Sequence, residues 1–589
     1  MDEALKEASR RLAQALADGQ VRTKDDWVQA KRVVAHGLGI AQPTDRDLAA
    51  LLPEDLQDEH RGVLRTKPSR SRSGVAVVAV MSSPAACPHG KCIFCPGGPE
   101  VDAPQSYTGF EPSTMRARRH GYDPCAIVRG RLAQLQRNGH TIDKVDVVVQ
   151  GGTFPAREPA YQDWFIAGIY VGLNAGPDGS AGNAGNSGKP DSSPGSPSSL
   201  DGPEWSSEAE WAAMPADERR RRLDALMLAN ESAPCRAIGL TIETKPDWGL
   251  EADLDRMLSY GATRIELGLQ ALDDEVLRRT HRGHTLADAA RSMQLSRDAG
   301  FKVCVHMMPG LPRGRKAGPG SGPWATDADA DIDDMRRLFA EETWRPDMLK
   351  VYPTLVVQEG ETPLKALWQK GEYTPLDTAA ATRVAGEGKG FVPEWCRIQR
   401  IDRDIPTTHV EAGVKNSNLR QLAQQWRAGR GLPGCRCIRC REAGSREASG
   451  VRVDADRLVL VRRDYAASDG DEAFLSFEDP DADALVAFLR VRRVGPGTHR
   501  RELRGAAVVR ELKVYGTTTA IGDDPEAGGW QHRGLGARLL AEAERIAFTA
   551  WGVGKVAVLA GPGVKAYYRK HGYADDGPYV SKRAVPETS

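Results

Sequence analysis

Six short apolar runs, each followed by a longer helical stretch, leave this chain few architectures to choose from. The runs Val75–Met81, Val145–Gln150, Ala237–Ile242, Arg264–Leu267, Lys302–His306 and Asp347–Val351 read as strands. Amphipathic stretches such as Leu250–Ser259 and Leu286–Ala299 lie between them. Repeated strand–helix alternation predicts a parallel sheet, open or closed into a barrel. Chemistry in such sheets gathers at the C-terminal ends of the strands. Cys87, Cys92 and Cys95 follow the first strand, Gly151-Gly152-Thr153 the second and Glu243 the third, and Gln270 lies just past the fourth. The spacing therefore predicts one shared site.

A chain of 589 residues exceeds a single hydrophobic core. A second alternation fills residues 451–589 and predicts a smaller α/β domain. Its strands are Leu458–Val461, Glu472–Phe477, Ala506–Val514 and Lys555–Leu559, with helices over Arg533–Trp551 and Val564–Lys570. The expected organisation is a helical and basic segment over 1–72, the repeating domain over 73–395, a cysteine-bearing linker over 396–450 and the small domain over 451–589. The Gly/Ser/Asn/Pro-rich stretch 174–203 reads as a disordered insertion. Arg313–Pro323 and Thr517–Gly529 read as shorter Gly-rich loops without catalytic duties.

Charges balance, 80 basic against 80 acidic, so only local runs bear on nucleic acid. Those runs are Arg61–Arg72, Arg116–Arg119 and Arg219–Arg222, and each alone reads as a solvated face. No run of about 18 apolar residues suggests a membrane span, and the N-terminus has no signal-peptide core. A cytoplasmic location is expected, and the ten cysteines then read as metal ligands and free thiols. Cys125, Cys235, Cys304 and Cys396 are scattered and read as small core residues.

The loop Cys87-Pro-His-Gly-Lys-Cys92-Ile-Phe-Cys95 offers three thiolates for three irons of a 4Fe–4S cluster. The fourth iron would chelate S-adenosylmethionine, whose sulfonium a reduced cluster can cleave. Enzymes of this type more often space their cysteines by three and then two residues; here it is four and then two. A zinc knuckle is the alternative, but it needs a fourth ligand and His89 is too close for easy closure. Gly151, Gly152 and Thr153 would bring backbone to the methionine amino group, with Glu243 and Gln270 completing the S-adenosylmethionine contacts. A second cluster, Cys435, Cys437 and Cys440, suggests structural zinc, with His409 a candidate fourth ligand; unligated thiols are the alternative.

Gln531-His532-Arg533-Gly534-Leu535-Gly536 opens a helix after a strand, where backbone N–H groups and the helix N-terminus favour a pyrophosphate. With Ala566 to Tyr573 after the next strand, this order resembles the GNAT acetyltransferase fold. The resemblance implies acetyl-CoA bound by Glu511, Leu512, Val514, the loop 531–536 and Tyr567, with Tyr567 or Tyr568 protonating the CoA thiolate.

Larger motifs make the chain similar to one family, the catalytic subunit of Elongator, a tRNA uridine carboxymethyltransferase. They are Arg65-Thr-Lys67-Pro, Cys87 through Cys95-Pro-Gly-Gly, Glu243-Thr-Lys-Pro-Asp-Trp248, Glu266-Leu-Gly-Leu-Gln270, Arg282-Gly-His-Thr285, His306-Met-Met-Pro-Gly-Leu-Pro312, Arg403-Asp-Ile-Pro406, Arg510-Glu-Leu-Lys-Val-Tyr515 and Tyr567-Tyr-Arg-Lys570. The resemblance implies a radical S-adenosylmethionine partial (β/α)6 barrel joined to a GNAT-type α/β domain. It also implies that a deoxyadenosyl radical activates the methyl group of acetyl-CoA, which then adds to C5 of the wobble uridine. Hydrolysis of the thioester would leave 5-carboxymethyluridine. Arg65, Lys67, Arg70 and Arg72 would then contact tRNA phosphates. The sequence leaves open both a homodimer and Elongator-type accessory subunits. The three insertions and His281, in place of an expected asparagine, depart from the family. Two rivals remain: a protein lysine acetyltransferase with Glu511 as base and a structural cluster, and a non-catalytic tRNA-binding scaffold.

Overall fold

The computed structural model describes residues 3–49, 51–53, 56, 59–64, 74–177, 205–314, 322–402, 404–516 and 534–584. The basic segment holding Arg65, Lys67, Arg70 and Arg72 lies outside the described residues, as do most of the three insertions and Gln531, His532 and Arg533.

The first sheet is built from β1 (Ala76–Met81), β2 (Lys144–Gln150), β3 (Arg236–Thr244), β4 (Arg264–Gln270), β5 (Lys302–Met307) and β6 (Met348–Val351), then, after the two-residue β7 (Val356–Val357), from β8 (Arg397–Ile401). Its order is β1-β2-β3-β4-β5-β6-β8, parallel at every pairing. Sequential order is what successive right-handed crossovers produce. Alternation along the strands divides the faces. Val147, Ile265, Leu267, Val305 and Leu349 share one core with Phe165, Ile169 and Leu295 of the covering helices. The intervening residues Asp146, Gln150, Glu243, Arg264, Glu266, His306 and Lys350 line the other face. A parallel sheet covered by helices on both faces is apolar on both; here one face is kept polar.

The six expected strands are present. β8 was not anticipated, because Arg397-Ile-Gln-Arg-Ile401 is mostly polar, breaks the alternation at Gln399-Arg400 and buries only its isoleucines. The sheet consequently runs past residue 395 into the stretch read as a linker.

β9 (Val410–Ala412) pairs only with β7. The second sheet holds β10 (Val459–Ala467), β11 (Gly470–Asp479), β12 (Ala484–Arg493), β13 (Ala506–Val514), β14 (Lys555–Val558), β15 (Ala574–Asp576) and β16 (Tyr579–Arg583). Its order is β10-β11-β12-β13-β14-β16-β15. All its pairs are antiparallel except β13–β14, which runs parallel from Ala506↔Lys555 to Val509↔Val558. Beyond Val509, β13 parts from β14, and among the described residues no strand pairs with that edge as far as Val514.

A bulge sits at that parting. Val491 opposes Val509 while Arg490 opposes Glu511, so Arg510 is the extra residue. Arg510 and Glu511 consequently both turn toward the first sheet, whereas Leu512 and Val514 pack in the second domain's own core. Arg510 donates to both oxygens of Asp347, at 2.6 and 2.8 Å, and to Glu472 at 2.7 Å. Arg492 donates to Asp298 at 2.8 Å and to Glu472 at 3.2 Å, and Arg490 to Glu511 at 2.9 Å. Arg490, Arg492, Arg510 and Asp347 are all wholly buried. Charges this deep persist only when paired and hydrogen-bonded. Burial alone would raise the Asp347 carboxyl, but Arg510, Arg490 and Arg297 outweigh it and hold the group well below the carboxylate range.

Two N-terminal helices, Glu3–Ala17 and Lys24–Leu38, form a separate small core around Leu12, Leu16 and Trp27. Thr23 starts the second of them with a capping box. Among the described residues, no helix is long and apolar enough to cross a membrane.

Candidate active site

The cysteine loop leaves β1 and folds over the polar face of the first sheet. Cys92 and Cys95 are buried and Cys87 is half-buried. Each sulfur has a polar neighbour: Thr153 Oγ1 at 3.4 Å from Cys87, Arg282 Nη1 and His89 Nε2 both at 3.3 Å from Cys92, and the Ser106 N–H at 3.1 Å from Cys95. Burial raises the Cys87 thiol and pushes Cys95 up to about 11, so a bound metal would have to draw the protons off. Burial, with Lys245 and Arg282, drops His89 to about 4, which keeps its ring neutral.

Among the described residues, two sets of three potential ligand atoms lie within 4.8 Å of one another, and the sulfurs of this loop are not one of them. One tetrahedral ion would need closer sulfurs, with Zn–S near about 2.3 Å. Three spread thiolates fit the separate corners of a multi-iron cluster.

Gly151 and Gly152 follow β2 with φ of 122° and 75°. A Cβ on Gly151 would meet Ser82 Oγ at 2.2 Å, and one on Gly152 would stand 3.7 Å from Cys87 Sγ. Both positions need glycine for its backbone freedom, and Gly151 also because nothing larger fits. Gln270 ends β4 at φ 75° and lines the same cavity as the cysteines, Gly152, Thr153 and Glu243. All five residues expected from the strand ends are thus near the cysteine loop.

Sequence reasoning assigned no role to the charges beneath them. Glu243 accepts from Tyr107 Oη at 2.9 Å, Lys350 Nζ at 3.0 Å and Gln150 Nε2 at 3.3 Å. Lys350 also contacts Glu266, which meets His306 Nε2 at 2.9 Å and Arg264 Nε at 3.4 Å. One ammonium thus bridges two buried carboxylates on the cavity floor. The available signal was charged residues interrupting apolar strands at every second position. Burial would raise the Glu266 carboxyl, but Lys350, His306 and Arg264 outweigh it and hold the group well below its ordinary value.

A depressed carboxylate contributes stability above its unfolded value, near about 4.3, and loses it as pH falls through the folded value. Lys350→Met is therefore expected to cost about 3–5 kcal/mol at neutral pH, by removing the ammonium that Glu243 and Glu266 share. It should also weaken the loss of stability below about pH 4, because the Glu266 carboxyl would no longer be held so low. Denaturant titrations of the apo chain at the two pH values check this; equal midpoints for wild type and variant at neutral pH would contradict it.

In the second domain Gly534 has φ 72° and caps the helix Leu535–Arg545. Tyr567 is 37% exposed, and its hydroxyl lies 2.9 Å from where a Cβ on Gly536 would stand. Tyr568 is buried in the domain core against Tyr573. The structure separates two neighbours that the sequence left equivalent.

Glu511 is gripped by Arg490. Burial would raise its carboxyl, but Arg490 and Lys302 outweigh it and hold the group low, which makes it a poor proton acceptor. The sulfurs of Cys435, Cys437 and Cys440 all lie within 4.8 Å of one another, close enough to share one ion. His409 does not join them; it pairs with Glu359 and stacks on Phe110.

Residues 215–314 match the Radical SAM superfamily and residues 346–427 the Radical_SAM C-terminal domain. The tRNA uridine(34) acetyltransferase of Methanocaldococcus infernus is 38% identical over 561 residues, covering 95% of this chain and 94% of its own. Elongator complex protein 3 of Homo sapiens is 39% identical over 565 residues, covering 94% and 92%. The chain belongs to the Elongator complex protein 3 family. The solved structure of the archaeal Methanocaldococcus infernus Elp3 with an N-terminal deletion superposes with a TM-score of 0.68 at 35% identity, covering 87% of this chain and all of that one. Coverage this broad brings both sheets into the relationship, so membership of the Elongator complex protein 3 family rests on the whole arrangement rather than on the cysteine loop alone.

Proposed function

We propose that this chain is a radical S-adenosylmethionine acyltransferase that converts the wobble uridine of tRNA to 5-carboxymethyluridine, with acetyl-CoA as the carbon source. The observation that carries the reading is the joining of two sites through one wholly buried interface. A cysteine loop stands over a polar sheet face, and the open edge of β13 faces the N-terminus of the helix Leu535–Arg545.

Cys87, Cys92 and Cys95 would hold a 4Fe–4S cluster, which when bound would supply the electron that cleaves S-adenosylmethionine. Gly151, Gly152 and Thr153 would receive the methionine end through backbone groups, with Glu243 and Gln270 orienting the nucleoside end. Glu243 accepts from Lys350 and Tyr107, which orients its oxygens to take hydroxyl or amino protons of a ligand. The backbone N–H groups around Gly534 and Gly536 would cradle the CoA pyrophosphate. The free edge of β13 beyond Val509 would hold the acyl-bearing arm. Gln531, His532 and Arg533 belong to the same proposed loop.

Tyr567 is the proposed proton donor to the CoA thiolate, and Tyr568 a packing residue. Tyr567→Phe should lower acetyl-CoA turnover by about 100-fold, the usual weight of a positioned acid, with little change in the KM for acetyl-CoA. Tyr568→Phe should leave turnover within about threefold, since only a hydroxyl is lost from a packed ring. Steady-state CoA release measures both, and a larger loss for Tyr568→Phe would reverse the assignment. The Cys435 cluster would bind zinc in a structural role. Arg65, Lys67, Arg70 and Arg72 would position tRNA by its phosphates, so binding should weaken steeply with salt.

The deciding experiment is anaerobic incubation of the reconstituted protein with S-adenosylmethionine, a reductant, carbon-labelled acetyl-CoA and unmodified tRNA. Labelled 5-carboxymethyluridine in the digested nucleosides is the expected result. Formation of 5′-deoxyadenosine without labelled nucleoside would remove the substrate assignment. Acetyl transfer onto protein lysines with neither product would remove the reading altogether.

A further inference from the structure

Phe110 is a large apolar ring left 37% exposed, yet the loop that presents it is heavily fixed. The buried Glu111 carboxylate accepts the N–H groups of Thr108 at 2.8 Å and Gly109 at 3.1 Å. It also accepts the hydroxyls of Thr108 at 3.0 Å and Thr114 at 3.2 Å. Arg118 ties the same loop down by donating to the carbonyls of Val101 at 2.8 Å and Gly109 at 3.4 Å. Phe110 stacks on His409, with ring centroids 4.1 Å apart and planes inclined by 25°.

His409 is itself immobilised. Its Nδ1 pairs with Glu359, and its carbonyl accepts the Gln358 N–H at 3.0 Å beside the β7–β9 ladder. Two chain segments therefore meet in this ring pair, and both line the cavity above the cysteine loop. Tyr107, Glu111 and Ser113 line it from the Phe110 side, and Asp404 and Ile405 from the His409 side. Met115 is 49% exposed on the helix Pro112–Arg119 that begins two residues on, and Arg119 at its end is exposed.

A single exposed ring is ordinary surface. A ring backed by a second ring and locked on both sides, between segments that line a cavity, offers a rigid flat surface at low entropic cost. Single-stranded RNA is gripped by stacking its bases on such rings, with nearby cations for the phosphates. A base turned out into a deep pocket also leaves its neighbours without a stacking partner.

We propose that Phe110, backed by His409, is a stacking platform for the nucleobase adjacent to the one that enters the cavity. The proposal rests on the RNA-substrate reading above and adds a binding subsite to it. Arg119, exposed at the end of the helix Pro112–Arg119, would serve the phosphate of the stacked nucleotide.

The test uses the full reconstituted chain and unmodified tRNA. Phe110→Ala should raise the KM for tRNA about 5- to 100-fold, the range that loss of one base–aromatic stack produces. Phe110→Trp and His409→Phe, which keep two stacked rings, should stay near wild type, while His409→Ala should fall in the direction of Phe110→Ala. An anticodon stem-loop carrying 2-aminopurine beside the target uridine should be quenched by wild type and by Phe110→Trp, but not by Phe110→Ala. If wild type modifies tRNA and Phe110→Ala shows an unchanged KM and unchanged quenching, the platform is wrong and the substrate reading stands. If wild type itself neither modifies nor binds tRNA, both fall.

Discussion

Cys92→Ala is expected to remove the iron–sulfur chromophore and S-adenosylmethionine cleavage together, while acetyl-CoA still binds the second domain. Replacing a partner one shell out from a metal costs about 10- to 100-fold, so loss of a ligand should exceed that and reach the detection limit. Cys92 is also the sulfur approached by both Arg282 and His89, so its removal takes one partner from a buried guanidinium, which keeps the Gly268 carbonyl, as well as a metal corner. Arg282→Met should fall in the milder range, because the thiolate remains but loses its cationic neighbour. The measurement is anaerobic 5′-deoxyadenosine formation, with absorbance of the reconstituted cluster read beside it. A Cys92→Ala protein that still makes labelled carboxymethyluridine would end the radical reading. One that merely acetylates lysine would favour the rival acetyltransferase, against which the low-held Glu511 already weighs.

Arg510→Met should be the most destabilising single change at the interface, costing about 3–5 kcal/mol. The figure follows from what is left behind: Asp347 and Glu472, both wholly buried, would keep their charges and lose their shared guanidinium. A methionine fills much of the space, so packing contributes little of the loss. Because two domains meet there, unfolding of the variant should separate into two transitions where the wild type shows one. Denaturant curves followed by far-ultraviolet circular dichroism and by intrinsic fluorescence test this; coincident curves with an unshifted midpoint would refute it. Replacing Arg510, Asp347 and Glu472 together by apolar residues should recover part of the loss, since no carboxylate of that trio is then stranded.

The parallel sheet was legible because six of its strands bury an apolar stripe between helices, and that period survives in the sequence. The site at the strand ends was legible for the same reason, since cysteines, paired glycines and single polar residues stand where each strand stops. β12 was not legible. Its run Ala484-Leu-Val-Ala-Phe-Leu-Arg-Val-Arg-Arg493 ends in three arginines, and arginine ordinarily marks exposure. Arg490 and Arg492 are instead fully buried, because their partners Asp347 and Asp298 arrive from the other domain, more than a hundred residues earlier. Lys350 escaped notice for a similar reason: a lysine in an apolar strand declares its role only once Glu243 and Glu266 are seen to reach it from β3 and β4. Tyr567 and Tyr568 differ by one residue and by everything around them, which only packing reveals.

The bulge at Arg510 also bears on how such a chain could arise or be re-engineered. Two domains joined by a linker invite treatment as interchangeable parts. Here the extra residue that parts β13 from β14 is the same residue that reaches Asp347, which directly precedes β6. A foreign module grafted in place of residues 451–589 would bring its own open edge but not the guanidinium, and the host would inherit a stranded carboxylate four residues' span from Lys350. Exchange of either half is thus conditional on the other, a constraint that the length of the connecting segment does not reveal.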